Sequence, residues 1–577
     1  MEDTGFRAVP AVIRRSLAGN KLFALALIPA VLLRVDAELG YRWQSWFNDS
    51  FSYVSAAVTL TPDTSRPSGY PVYLWLLSPF HSYFLVTASQ HLMGLLVAVM
   101  IYALARRRFA APAWVAVLFT LPVLYDGFEI QLEHLIMTDT LFLFLAFAAV
   151  AVLLWGFRSP RPSWRACLVA GLLLGLSATV RSTGLALIPV FGLYLLIRFV
   201  PGAARAGWRG WRALIAGLVV CGIAFAVPIL GYDAWYKSAH GEFTMTESTG
   251  VFLYSRVMTF AECSRMTLPT DLLALCTSVP PAQRPIAQAY IWTAASPLDR
   301  FPAPKFSPTV DKLAEEFAVR AVEAQPLDYA RAVWDDTVRS FDWSRQVFPN
   351  GQTYDEYLFG YHSLAIPGSP FRGYPSPEAY YVRGNPDTVV VNPFASLIRV
   401  YQRYVWLPGT VYGLILLVGL FGIVLRWRFA PLGASARASR EARAGRDALL
   451  PWLCSVALIV APAATAEFDY RYVTTAVPFA CLAAAMVFGR RARGEQPDVA
   501  AGTGASSAGA AVIPDSDAAS GPPQVMGGQP PIPTAPGGPV PPPGGTPLLP
   551  RRVPGRGLSG GLAKAGHDQR DLAPDAT

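Results

Sequence analysis

The stretch Asn48-Asp49-Ser50-Phe51-Ser52-Tyr53, followed by Arg66-Pro67-Ser68-Gly69-Tyr70-Pro71, gathers a carboxylate, phenols and a guanidinium between apolar segments. A carboxylate held at a membrane face is costly, so it marks a functional site by default. Ionised and positioned, Asp49 could take a proton from a hydroxyl as a general base. Phe51, Val54 and Val58 share one helical face, and the spacing predicts a short interfacial helix over 49–60. Asp49 then stands at its start, where Asp is also a favoured N-cap and the positive helix end keeps a carboxylate ionised. Tyr53 lies at i+4, on the same face.

A second acidic group, Glu133-His134 and then Asp139, runs into an apolar segment. Asp139 falls at or just inside the outer membrane face. Carboxylates at that depth usually line a cavity, which favours a working residue over one exposed to headgroups. His134 could join Glu133 on a metal, but a lone interfacial His is more often a hydrogen-bonding bystander, and no metal ligand is assigned. Arg181 and Arg471 oppose the tendency of basic residues to stay cytoplasmic. A phosphate suits such an arginine, which grips its oxygens in bidentate fashion. The plainer alternative for Arg471 is an ion pair with Glu467 or Asp469. Arg34, Asp36 and Glu38 read as a charged interface.

These residues need a scaffold, and the composition names it. Of 577 residues, 53% are hydrophobic and only 15% charged, against about 25% charged in soluble chains. A helical span takes about 20 apolar residues. The expectation is an all-α polytopic membrane protein of about ten spans, at 20–36, 82–105, 111–126, 135–156, 166–180, 183–198, 212–231, 406–426, 449–465 and 471–489. Segment 70–79 reads as a partial or re-entrant helix. Arginine clusters such as Arg106-Arg107-Arg108 alternate with acidic loops, which places both termini in the cytoplasm. Topology therefore accounts for the net charge of +9 without nucleic acid.

Four divisions follow: an N-terminal membrane module at 1–231, a mixed extracytoplasmic domain at 232–405, returning spans at 406–490, and a tail at 491–577. Within the outer domain, Leu313, Phe317, Ala321 and Ala324 predict an amphipathic helix or pair over 310–341, and 343–384 reads as irregular loops. Cys263 and Cys276 lie on the oxidising side, where a disulfide between them is expected, two free thiols being the plainer alternative. The tail lacks Phe, Trp and Tyr and is crowded with Pro, Gly, Ala and Ser, a composition of disorder.

Asp49, Tyr53 and the Arg66–Pro71 turn leading into Val72-Tyr73-Leu74-Trp75 resemble the first outer loop of GT-C glycosyltransferases, among them the aminoarabinose transferases and protein O-mannosyltransferases. Gln90-His91-Leu92-Met93-Gly94 is similar to the family's next span, and Arg471-Tyr472 before Pro478 to its last. Where many members carry two acids in a row, this chain has Asp49-Ser50. The resemblance covers about 30–200 and 450–490.

It implies a transferase that uses a polyprenyl-phosphate-linked sugar donor, an extracytoplasmic acceptor and inversion. Asp49 and Asp139 would be catalytic. Arg181, Arg471 and Tyr472 would bind the donor phosphate, and Tyr53, Arg66, Tyr70, Glu133 and His134 the substrate. No cofactor is assigned, and a divalent metal is left open. The abundance of Ala, Arg, Gly and Pro points to a GC-rich bacterial genome and its plasma membrane. The rival readings are a transporter or lipid flippase, which predicts repeats and midplane charges, and a non-catalytic envelope scaffold.

Overall fold

The computed structural model describes residues 20–157, 161–294, 296–366, 375–428 and 436–489. The tail at 491–577 and the basic residues Arg7, Arg14, Arg158 and Arg490 lie outside them. Among the described residues, strand is confined to Tyr41–Arg42 (β1) and Val389–Val390 (β2), and the architecture is helical.

Apolar sequence makes long helices here because backbone groups at membrane depth must bond internally. All ten expected segments are helical. The first part of the chain runs through α1 (Lys21–Gly40), α2 (Asn48–Thr59), α3 (Gly69–Leu77) and α4 (Tyr83–Ala103). Next come α5 (Ala113–Leu118), α6 (Leu121–Tyr125), α7 (Gly127–His134), α8 (Asp139–Gly156), α9 (Trp164–Val180), α10 (Leu187–Ala206) and α11 (Trp208–His240). Six helices among the described residues are long and apolar enough to cross a membrane, or seven if a bent pair counts as one. That pair is 113–125 against α7, bent by 52°. The bend falls at Asp126, whose carboxylate leaves α6 behind and caps α7 by accepting from the Phe128 N–H at 2.9 Å. Charge disqualifies α1, which carries Arg34, Asp36 and Glu38, and α9 is apolar but only 17 residues long.

The outer segment divides its packing between two places. Its first part forms a core of its own, in which Val251, Tyr254 and Val257 of α12 (Thr249–Val257) meet Val310, Phe317 and Ala321 of α13 (Pro308–Ala324). Pro326 ends the amphipathic pattern of α13 and starts α14 (Pro326–Arg339). Cys263 and Cys276 are bonded, with Cα atoms 6.1 Å apart. The run 343–384 is less irregular than its composition suggests. Asn350 caps α15 (Gly351–Glu356), and Ser376 caps a further turn at Pro377–Val382, each giving a short helix its missing acceptor.

The second part packs on the membrane module instead. Ala395 and Ile398 of α16 (Phe394–Tyr404) join Ala37, Tyr41 and Ile130. Strand β2 pairs antiparallel with β1, Tyr41 opposite Val390 and Arg42 opposite Val389. At Gly40 a Cβ would stand 2.7 Å from the Ala395 backbone nitrogen, so only glycine allows this approach. The chain then returns through α17 (Gly409–Arg428), α18 (Ala436–Thr465) and α19 (Tyr470–Met486).

Candidate functional site

Helix α2 begins one residue before Asp49. Its entry is closed by Ser50, whose hydroxyl accepts from the Phe47 N–H at 2.9 Å. Asp49 is therefore a first-turn residue and not the N-cap that its type suggested. Its carboxylate is spent on two arginines: Arg66 Nη2 donates to Oδ1 at 2.6 Å, and Arg471 Nη1 to Oδ2 at 3.1 Å.

Each arginine is aimed by its own local chemistry. Before α3, Asp63 accepts from both the N–H and the hydroxyl of Ser65 at 2.6 Å, and the Asp63 N–H donates to Ser68 at 2.8 Å. This turn presents Arg66, whose guanidinium lies 5.2 Å from the Trp292 ring centre. Farther along the chain, Asp469 caps α19 and forms an ion pair with Arg471, Oδ2 standing 3.0 Å from Nε. Tyr357 fixes Asp469 in turn, its hydroxyl donating at 2.6 Å.

Asp139 and Arg181 form a second ion pair beside the first, with Asp139 fully buried at the start of α8. Burial answers the question its sequence position left open, because this is no Asp facing headgroups. Tyr472 joins the two pairs: its ring centre is 5.0 Å from the Arg181 guanidinium and 5.5 Å from that of Arg471. Asp49, Tyr53, Arg66, Asp139, Arg181, Arg471 and Tyr472, dispersed over most of the sequence, thus converge.

Electrostatics separate two carboxylates within this group. Burial pushes the Asp49 carboxyl up, but Arg66 and Arg471 beside it more than reverse this and hold it below the usual carboxylate range. Glu356 of α15 accepts from the Asn48 N–H at 3.1 Å. Burial, with Asp49 nearby, lifts Glu356 to about 7. One carboxylate is ionised through the neutral range while its neighbour titrates within it.

Three expected substrate contacts go elsewhere. Tyr70 is fully buried beneath Tyr53, and its hydroxyl donates to Gln90 at 2.7 Å. Glu133 is fully buried and takes the fork of Arg34, with Nε and Nη2 each at 2.7 Å. Arg34 and Glu38 are likewise enclosed and do not form an exposed charged interface. The reason is helix packing: α1, α4 and α7 close together, and a charge trapped between helices must find a partner. His134 faces His91 and Glu38, not Glu133.

Sequence reading missed Tyr357, Glu356 and Trp292, all from the outer segment. Glu356 and Tyr357 close a six-residue helix and Trp292 a four-residue one, too short for periodicity to single them out. Asp469 was weighed only as a partner for Arg471, and its capping role was legible, since Asp before a helix is a standard cap.

Residues 70–240 match the family model described as dolichyl-phosphate-mannose-protein mannosyltransferase. No curated protein matches the chain. Among solved structures, the chain is similar to the protein O-mannosyltransferase Pmt1–Pmt2 complex of S. cerevisiae bound to the sugar donor. The identity is 19%, covering 38% of this chain and 34% of that one, with a TM-score of 0.33. It is similar to ArnT of Cupriavidus metallidurans bound to undecaprenyl phosphate at 14% identity, over 81% of this chain and 77% of that one, TM-score 0.31. The Archaeoglobus fulgidus oligosaccharyltransferase in the apo form matches at 14% identity, over 80% of this chain and 50% of that one, TM-score 0.37. The chain thus spans about a third of the length of the yeast protein and half of the archaeal one. Asp139 and Arg181 fall inside the matched stretch, Asp49 and Arg471 outside it. Over residues 70–240, the resemblance to the GT-C membrane glycosyltransferases holds.

Proposed function

We propose that this chain is an integral-membrane glycosyltransferase of a bacterial plasma membrane. It moves a sugar from a polyprenyl-phosphate donor to an extracytoplasmic acceptor, which is a cell-envelope glycan, lipid or protein. Both termini are cytoplasmic and the site faces out. The module 1–231 and the spans of 406–490 hold the site from below, and 232–405 covers it.

The observation that carries this reading is the convergence on Asp49 of arginines from both ends of the chain. The family matched over 70–240 is named for a lipid-phosphate-linked sugar, the same donor class. In the reaction, Asp49 accepts the proton of an acceptor hydroxyl while the oxygen attacks the anomeric carbon from the face opposite the phosphate. The carbon–oxygen bond to phosphate breaks with inversion, and the lipid phosphate leaves with the electron pair. Arg471 and Arg181, bridged by Tyr472, neutralise that leaving charge, a term that often dominates catalysis.

The resting ion pairs make base strength depend on the donor. With Arg66 and Arg471 both on it, Asp49 is a weak base. A phosphate that draws Arg471 away releases one of the two charges that depress it, so Asp49 becomes a stronger base only when a leaving group is in place.

The test is Asp49→Asn in full-length protein reconstituted with a panel of polyprenyl-phosphate sugars. Removing a general base costs about a hundred- to ten-thousand-fold in rate. The protein should still insert and stay monodisperse, because Asp49 does not cap its helix. Wild-type release of polyprenyl phosphate by this variant would end the proposal. Orientation has its own check: a reporter near residue 300 should be active only outside, and one after 495 only in the cytoplasm.

A further inference from the structure

The cluster that drew Glu133 and His134 away from the candidate site also contains Glu38 and His91. All four are buried, Glu38 at 7% exposure, His91 at 4%, and the other two at none. Its hydrogen bonds dictate which atoms remain to be satisfied.

His134 Nε2 lies 2.9 Å from the Tyr41 carbonyl, which can only accept, so Nε2 carries the proton and Nδ1 presents a lone pair. His91 Nδ1 lies 2.8 Å from Glu133 Oε2, an oxygen that also accepts from Arg34 Nε at 2.7 Å. Nδ1 therefore donates, and His91 Nε2 also presents a lone pair. The two lone-pair nitrogens face each other at 3.2 Å. Two neutral acceptors at that distance repel. Glu38 adds to the conflict, because neither of its buried carboxyl oxygens has a partner that meets hydrogen-bond geometry. Glu38 Oε1 stands 3.7 Å from His91 Nε2 and 4.0 Å from His134 Nδ1.

We propose that Glu38, His91 and His134 bind one divalent transition metal of zinc type, enclosed between α1, α4 and α7. A tetrahedral ion with ligands about 2.0–2.1 Å away sets its donor atoms about 3.3–3.4 Å apart. The two nitrogens already have that spacing, and a small inward movement of Glu38 completes the set. The outer partners also fit: a carboxylate behind one imidazole and a carbonyl behind the other are what fix ring orientation and tautomer at metal-bound histidines. A donor set of two imidazoles and one carboxylate leaves a fourth position open and favours zinc over magnesium or calcium, which want oxygen alone. The site is separate from the Asp49 group and beyond the glycosyltransferase reading, which stands or falls without it. Its effect is to tie three helices together beside the start of β1.

The experiment is metal analysis of full-length protein purified in detergent, dialysed against zinc and then against metal-free buffer. Wild type should retain about one zinc per chain, and Asp49→Asn should retain it equally. Glu38→Gln and His134→Ala, checked as monodisperse, should each lose at least nine-tenths of it. Substitution of cobalt for zinc should give the intense visible bands of four-coordinate cobalt in wild type. A wild-type protein that keeps under a tenth of an equivalent would overturn the proposal, since a shared proton would then reconcile the nitrogens. Full retention in Glu38→Gln and His134→Ala would overturn it as well. If both variants aggregate, the wild-type cobalt spectrum decides alone: four-coordinate bands support the site, and a weak six-coordinate spectrum overturns it.

Discussion

Two of the buried ionic groups among the described residues are built on opposite plans. The group around Glu133 is closed. Arg34 and Glu133 have side chains 3% and 0% exposed, and Arg34 also donates to backbone carbonyls of Ala30 and Leu124. The group around Asp49 is ajar. Its arginine side chains keep between 11% and 20% exposure, and its partners come from loops and helix ends. A closed pair has nowhere to go when one member is lost, whereas an ajar pair can exchange a carboxylate for an arriving anion. Burial alone therefore does not mark a site. What marks it is a charge whose partner is replaceable.

Several substitutions can break or sharpen that contrast. Glu133→Ala strands the Arg34 guanidinium in a dry interior, and breaking a buried pair in this way costs about 3–5 kcal/mol. Asp49→Ala should cost far less stability, because water reaches its arginines, while it abolishes turnover. Equal losses in detergent unfolding assays would erase the distinction between the two groups.

Arg471→Ala comes next. Loss of one charged contact to the developing phosphate should lower turnover by about 2.7–4 kcal/mol equivalent. It should weaken donor binding as well, since the phosphate is charged in the ground state too. A change in turnover with unchanged donor affinity would remove Arg471 from the phosphate.

Gly94→Ala probes the closed group from the side. A methyl there would overlap the Glu133 carboxylate, and overpacking of this kind costs about 1–3 kcal/mol. A thermal midpoint equal to wild type would show that the group has room to give.

The smallest effect is a pH dependence. Glu356 has its pKa raised in the folded state from the ordinary 4.5 to about 7. The sign follows from linkage: the folded state holds this proton more tightly, so the group favours folding below pH 4.5, and that advantage is lost as pH rises through 7. Glu356→Gln should therefore stabilise the protein by about 1–2 kcal/mol more at pH 8 than at pH 5, after allowance for partial exposure. No difference between the two pH values would place Glu356 in a wetter setting.

The membrane helices were legible in the sequence because apolar runs of the right length admit only one structure at that depth. Asp49, Arg66, Arg181 and Arg471 were legible because each charge stood out against an apolar background. The fate of Glu133 and His134 was not, since which of two neighbouring clusters receives a side chain depends on how α1, α4 and α7 pack. Glu356 and Tyr357 were hidden for another reason: a capped helix of six residues is too short for any periodic signal.

Asp49 and Arg471 are 422 residues apart in the chain. At a synthesis rate of about 5–20 residues per second, on the order of 20–80 seconds separate their emergence from the ribosome. Late in that interval the nascent protein has its proposed base and its long apolar helices but still lacks the last arginine, as well as Asp469 and Tyr472. Competence for transfer would thus arise only once α19 has been made, so that a chain interrupted before it would sit in the membrane without spending lipid-linked sugar.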